Sequence, residues 1–419
     1  MPAGTGVALP FATPMLQTAL ILGLLSAVGP FAIDMYLPAM PKIAAGLGAD
    51  ETKTQLTLAA YFAAFGMAQL IYGPWSDQAG RKPPLYTGLT IFVVASIGCA
   101  LAPTISWLIA FRILQGLGGA ALMVLPRAVI RDMRTGPDAT RLIAMVMLVI
   151  SVSPMLAPLA GSVLLIIGDW RLIFWVRGIA AGLSLLLTAT GLPETLPLQR
   201  RVRVNPRTFW GRRKTLFRDP VFMGLTLVGG FGFAGFMVFI ATAAFVNSEQ
   251  FGLGPMQFSL AFALNAVGFL AASQLVGPLN GRIGMPRVIR WAAVGFAGFT
   301  ALLLGIALAG KATLAVIIAG LFLGNACLGV IVPTTMVMAL DPHAENVGLA
   351  ASLGGTLQVL SGAVIVVLTG PSFDGTALPM IAAIALCALL ALAVALVTLH
   401  SIDRSPPVGS GAAASSRTL

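Results

Sequence analysis

The chain reads as a succession of long apolar runs separated by short polar segments. With Pro, Gly and charge clusters taken as breaks, twelve runs reach the roughly 20 apolar residues that a helix needs to cross a bilayer. They cover residues 15–37, 53–73, 84–102, 105–127, 141–167 and 171–192, then 221–246, 256–279, 287–309, 313–339, 347–370 and 376–399. The pattern predicts an all-α integral membrane protein of twelve transmembrane helices. Composition agrees, because only 9% of residues are charged and 58% are hydrophobic, against about 25% charged in soluble domains.

A formal charge of +11 would suggest nucleic acid in a soluble protein, but here the cations sit in a few short segments and set topology instead. If both termini are cytoplasmic, the inside segments hold Arg81 and Lys82, four arginines between 127 and 141, eight basic residues from Arg200 to Arg218, then Arg282, Arg287, Arg290, Arg404 and Arg417. Those are nineteen of the chain's 25 Lys and Arg; the outer segments hold four, Lys42, Lys53, Arg171 and Lys311. The imbalance predicts a multi-pass protein of a bacterial cytoplasmic membrane, with both termini inside and no nucleic-acid partner. No Lys or Arg precedes Lys42, so the first run lacks the basic start of a signal peptide and reads as an uncleaved helix. Cys99, Cys327 and Cys387 stand alone in apolar runs, which predicts neither disulfides nor a metal site.

The basic segment 193–220 divides the chain into an N-terminal six-helix half, 1–192, and a C-terminal one, 221–400. The Ser-, Gly-, Ala- and Pro-rich stretch 401–419 is expected to be a disordered cytoplasmic tail. A repeat supports the division: Gly73-Pro74 and Gly80 after helix 2 recur as Gly277-Pro278 and Gly284 after helix 8, at an offset of 204. Duplicated halves around a midplane site predict a transporter that alternates access by rocking one half against the other.

Ionisable groups inside a membrane are costly and therefore candidates for function. Of the fourteen acidic residues, only Asp34 falls well within a span; Arg112 and Arg177 join it. Counted from the outer helix ends, all three lie roughly 10–12 Å deep at about 1.5 Å per residue. Protonation of such a carboxylate can switch as water access and the position of an arginine change. Asp34 is thus the candidate proton carrier and Arg112 its modulator, the alternative being a static ion pair between helices 1 and 4.

Several motifs, in order and spacing, resemble the major facilitator superfamily over nearly the whole chain. Gly73, Asp77, Gly80, Arg81 and Lys82 resemble its loop signature between helices 2 and 3. Arg112-Ile113-Leu114-Gln115-Gly116 resembles its helix 4 signature, and Pro154-Met155-Leu156-Ala157-Pro158-Leu159-Ala160-Gly161 its antiporter signature in helix 5. Asp34-Met35-Tyr36-Leu37-Pro38 and Leu192-Pro193-Glu194-Thr195 are similar to the bicyclomycin and chloramphenicol resistance (Bcr/CflA) branch of drug:proton antiporters. Two positions depart: Ser162 stands where a second Gly often ends the helix 5 signature, and Arg177 where an uncharged residue is usual.

The resemblance implies two six-helix pseudo-repeats, an inner gate at Gly73, Asp77, Gly80 and Arg81, and a bent, sealing helix 5 at Pro154, Ala157, Pro158 and Gly161. It places helices 1, 4, 7 and 10 around a substrate cavity, which offers Tyr36, Gln115, Phe231, Phe236, Phe239 and Asn325, with Asn265 and Gln358 on helices 8 and 11. It places helix 6 at the periphery, so Arg177 is expected to snorkel to the outer interface. Few charges, several Phe and some amides suit small neutral apolar or amphipathic compounds. The expected activity is proton-driven drug export by a monomer, with the proton motive force in place of a cofactor. A proton-coupled carrier of a metabolite such as a purine or sugar and a non-transporting sensor are the rivals. An enzyme is excluded because His343 and His400 have no nucleophilic partners.

Overall fold

In the computed structural model, residues 15–133, 136–201 and 206–404 are described; they form fifteen α-helices and no strand. In chain order these are α1 (Met15–Asp34), α2 (Met40–Leu47), α3 (Glu51–Ala79), α4 (Lys82–Ala100), α5 (Ile105–Met133), α6 (Gly136–Ile167) and α7 (Arg171–Gly191), then α8 (Pro206–Arg218), α9 (Pro220–Phe245), α10 (Pro255–Gln274), α11 (Val276–Ile283), α12 (Met285–Leu308), α13 (Leu314–Leu340), α14 (Val347–Thr369) and α15 (Ala377–Arg404). Twelve segments are long and apolar enough to cross a membrane. The first comprises α1 and α2, the eighth α10 and α11, and α8 lies outside them.

Three elements differ from the sequence expectation. The first span is not one helix: α1 stops at Asp34 and a 3-10 turn, Leu37–Ala39, leads into α2. Pro38 lacks the N–H that would bond the Asp34 carbonyl, and its ring would clash with that carbonyl in a straight helix. Helix 2 runs through Pro74 to Ala79, since a membrane helix re-satisfies the freed backbone groups locally. The basic segment between the halves contains the helix α8, and residues 401–404 are the last turn of α15; the expected tail from 405 onward lies outside the described residues.

Among the first six spans α5 packs on α3 and α4, α4 on α7, and α1 on α5, α6 and α7. Among the last six α9 packs on α13, α14 and α15, α13 on α10 and α12, and α12 on α15. The two groups meet where α3 runs against α14 and α6 against α10, and where the Leu37–Ala39 turn rests on α9 and α10.

The hydrogen bonds across this seam gather toward the end whose loops are poor in arginine. Thr52 Oγ1 donates to Gly370 O at 3.0 Å, Ser162 Oγ to Pro255 O at 2.8 Å and Ser259 Oγ to Pro158 O at 2.9 Å. Deeper, Thr356 Oγ1 donates to Gly66 O at 2.8 Å. Beside these contacts α6 presses on the first span so closely that a Cβ on Gly161 would lie 2.4 Å from Met35 O, which leaves room for glycine alone. These contacts join the two groups of helices at the arginine-poor end.

Ser162 is thus a cross-seam donor, which explains why the small hydroxyl replaces a glycine there. With its Oγ 2.7 Å from that of Ser259, the double variant Ser162→Cys, Ser259→Cys should form a disulfide on mild oxidation in membranes. Gel mobility after a cut in the 193–220 segment would show the two halves still joined; no crosslink would contradict this packing.

Candidate functional site

The site is built on the end of α1. Because Tyr36 N turns to Ile33 O at 3.2 Å in the tighter 3-10 geometry, the Ala32 carbonyl loses its helical partner. Two guanidiniums replace it. Arg112 Nη1 of α5 donates to Ala32 O at 3.3 Å, and Arg177 Nη1 of α7 donates to the same oxygen over a very short distance. A helix C-terminus carries about half a negative charge, so it attracts cations.

Aromatic rings enclose both cations. The Arg112 guanidinium lies 4.6 Å from the Tyr36 ring centre and 4.4 Å from that of Tyr61, and Arg177 lies 4.4 Å from Phe174. Desolvated cation–π contacts of this kind contribute about 2 kcal/mol each. Tyr36 is fixed by its OH, 2.5 Å from Thr57 Oγ1. Arg112 Nη1 also donates to Gln115 Oε1 at 2.7 Å, and Gln115 Nε2 continues to Ser96 Oγ at 2.8 Å. The chain of bonds ties α1, α4, α5 and α7 through one polar core.

Three positions fall differently from the sequence reading. Arg177 does not snorkel: it is 2% exposed, because the carbonyl released at the α1 break offers an acceptor inside the half. Tyr36 and Gln115 do not face an open cavity; both are fully buried as part of the arginine cage. The sequence reading missed Tyr61, Ser96 and Phe174, whose role follows only from which helix faces meet.

Asp34 stands two residues beyond Ala32 and is 6% exposed. Among the described residues it forms no ion pair or hydrogen bond, so the static pair with Arg112 is not made in this structure. Arg112 Nε and Nη2 and Arg177 Nη2 also lack partners. Asp34 thus carries a buried carboxyl without an ion partner at the end of α1, two residues beyond the carbonyl that the two guanidiniums share.

In the second group of helices, Asn325 Nδ2 donates to Asn265 Oδ1 at 3.3 Å. Rings stack along α9 and α10, with Phe236 6.2 Å from Phe269 and Phe239 5.6 Å from Phe262. Gln358 and Thr335 both pack against Gly229, and Phe231 is half-buried on α9. A small enclosure of about 20 Å³ lies beside Phe239, Phe262 and Asn265, room for about one water.

A second polar cluster lies at the arginine-rich end. Arg81 Nη1 donates to Asp77 Oδ1 at 2.6 Å and Ser76 Oγ at 2.8 Å, and its Nε donates to Asp132 Oδ2 at 2.6 Å. The backbone N–H groups of Arg81 and Lys82 donate to the Glu194 carboxylate at 2.8 and 3.1 Å. Gly80 has φ +96, and a Cβ there would lie 2.6 Å from Glu194 Oε2, so both conformation and space require glycine. Asp77 remains half-exposed, whereas Asp132 and Glu194 anchor the loop to α5 and to the segment after α7. Asp132 was not legible as part of this cluster, because it lies 51 residues from Arg81 with no motif of its own.

Burial pushes the Glu194 carboxyl up, but bonds from the Arg81, Leu196 and Lys82 N–H groups and the charge of Arg201 outweigh it and hold it below its ordinary value of 4.5. A lowered value in the folded state means stability that is present above the unfolded value and lost as pH falls through the folded one. Glu194→Gln should therefore lower the thermal unfolding midpoint at pH 7 and converge with the parent in acid; equal midpoints at pH 7 would contradict the anchor. Arg81→Gln should cost about 3 kcal/mol, because it leaves Asp132 buried and unpaired, and should appear in the same scans as the larger loss.

Residues 22–366 match the family model described as Major Facilitator Superfamily. The chain is 34% identical over 367 residues to the uncharacterized MFS-type transporter YdgK of Bacillus subtilis, covering 87% of this chain and 91% of that protein. It is 28% identical over 377 residues to the bicyclomycin resistance protein homolog of Haemophilus influenzae, covering 89% and 94%. The crystal structure of a D-xylose-proton symporter aligns with TM-score 0.74 at 16% identity, over 92% of this chain and 97% of that one.

Proposed function

The chain belongs to the Major Facilitator Superfamily, a multi-pass membrane transporter of small molecules and not an enzyme, and from that premise we propose that it exports drug-like compounds in exchange for protons. The observation that carries the reading is Asp34: a buried carboxyl with no ion partner, at the break in α1, two residues beyond the Ala32 carbonyl that Arg112 and Arg177 hold. An acid that is neutral when protonated and attracted to the arginines when ionised can exist in both forms without leaving the membrane. Proton release and movement of the α1 end are then one event.

The helix 5 residues Pro154, Ala157, Pro158 and Gly161 serve as the seal along the first span, the part an exchanger needs if protons are not to leak. Similarity to a bicyclomycin resistance homolog supports the drug:proton antiporter branch. Substrates in this reading are small neutral or amphipathic compounds such as bicyclomycin or amphenicols. The arginine-rich loops lie in the cytoplasm, with both termini, in a bacterial inner membrane, and the working unit is a monomer. The Arg81, Asp77 and Asp132 cluster is the inner gate in this reading: Asp77, paired with Arg81 but half-exposed, can take a further partner from the second half when the halves close at this end.

In an efflux-deficient bacterium the chain should raise resistance to bicyclomycin or chloramphenicol at least fourfold, and a protonophore should remove the effect. Asp34→Asn should abolish pH-driven exchange in proteoliposomes while the protein remains folded in the membrane; undiminished exchange would remove Asp34 from the mechanism. Asp77→Asn should leave substrate affinity unchanged and slow turnover severalfold, so normal turnover would exclude it from the gate.

A further inference from the structure

Where the two groups of helices meet at the arginine-poor end, each contributes one acid. Glu51 opens α3 of the first group, and Glu249 stands in the π-helical turn Val246–Gln250 that ends α9 of the second. Across the seam their carboxyl groups are hydrogen-bonded to each other. An ionised carboxylate only accepts, so a bond between two of them requires one proton. Glu51 is half-buried and Glu249 exposed, so that proton exchanges with the solution.

The surroundings fix the pair and offer it no cation. Next to Glu51, Thr52 Oγ1 donates to Gly370 O at 3.0 Å; next to Glu249, Gln250 Oε1 accepts from Ala377 N at 2.6 Å. Between these anchors Gly375 turns with φ +80, and a Cβ there would strike Glu249 Oε2. The nearby charges are engaged elsewhere: Asp50 with Lys53, and Asp374 with Thr376. Lys42 of α2, a helix that packs on both α3 and α9, donates to Leu165 O. Among the described residues no basic side chain pairs with either glutamate, and Glu51 is the charged group that acts on Glu249.

One turn along α3 from Glu51, Gln55 is 1% exposed and neither of its amide atoms has a partner. A Cβ on Gly370 would lie 3.6 Å from its Oε1, so it belongs to the same seam. A buried unpaired amide costs free energy that water would relieve on opening. Closure at this end therefore carries a standing cost, against which the hydrogen bond of the carboxyl pair counts.

We infer that Glu51 and Glu249 form a proton-operated latch: they share one proton when the halves meet at this end, and once both are ionised they repel and release the seam. The closed state then holds one proton more than the open one, so acid favours closure and base favours opening. The latch rests on the alternation of the two halves, and neither on Asp34 nor on the compound carried.

The test is hydrogen–deuterium exchange of the full chain in phosphatidylcholine nanodiscs, read over residues 51–57 and 370–377 and corrected for the intrinsic pH dependence of amide exchange. Exchange in both segments should be about threefold slower near pH 5 than near pH 8, the scale of coupling between exposed charged groups. Glu249→Gln and Glu51→Gln, whose amides supply the shared donor at every pH, should exchange slowly at both. Glu249→Lys should do the same by pairing with Glu51. Equal exchange at the two pH values in the parent, or a pH response that persists in both Gln variants, would overturn the latch. Asp34→Asn should keep the response even where proton exchange is lost; a response that vanishes with Asp34→Asn would assign it to Asp34 instead. Failure of the latch and failure of the exchange reading are thus read separately.

Discussion

The polar core of the first half depends on one orphaned carbonyl. Pro38 forbids α1 from continuing past Asp34, the turn that follows redirects Tyr36 N, and Ala32 O is left facing two arginines inside the membrane. Without that acceptor, Arg112 would keep Gln115 and Arg177 the Ile173 carbonyl, but no oxygen would be shared between the two like charges. With it, three helices converge on one oxygen, and the ring of Tyr36 is held over Arg112 by the bond of its hydroxyl to Thr57. A local backbone constraint therefore sets the electrostatics of the whole half.

This construction also makes the end of α1 a natural moving part. A broken helix costs less to reorient than a continuous one, since the ladder of backbone bonds is already interrupted. The same turn rests on α9 and α10 of the other half, beside the Ser162, Ser259 and Pro255 contacts. A change in charge at Asp34 would thus act where the halves touch. At the far end Arg81, Asp132 and Glu194 form a rigid anchor with Asp77 at its edge, so the two polar clusters sit at opposite ends of the first six spans.

The apolar runs in the sequence marked all twelve spans, because bilayer thickness imposes a length that composition must honour. They did not mark the break in helix 1, although Pro38 was visible, since proline is tolerated in membrane helices and only packing decides whether the chain bends or breaks. Asp34, Arg112 and Arg177 stood out as charges within apolar runs, but the direction each side chain takes depends on helix rotation. That is why Arg177, expected at the interface, proved to be buried against Ala32, and why Tyr36 and Gln115 proved to be cage rather than cavity. Asp132, Tyr61 and Ser96 carried no signal along the chain, because residues brought together from different helices share no spacing.

The central claim, that Asp34 exchanges its proton against the transported compound, is tested most directly by proton release on binding. Purified protein in weakly buffered detergent solution with a pH-indicator dye, near neutral pH, should release up to one proton per chain when a transported compound is added, and Asp34→Asn should release none. Binding without release in the parent protein, or undiminished release from Asp34→Asn, would contradict the account.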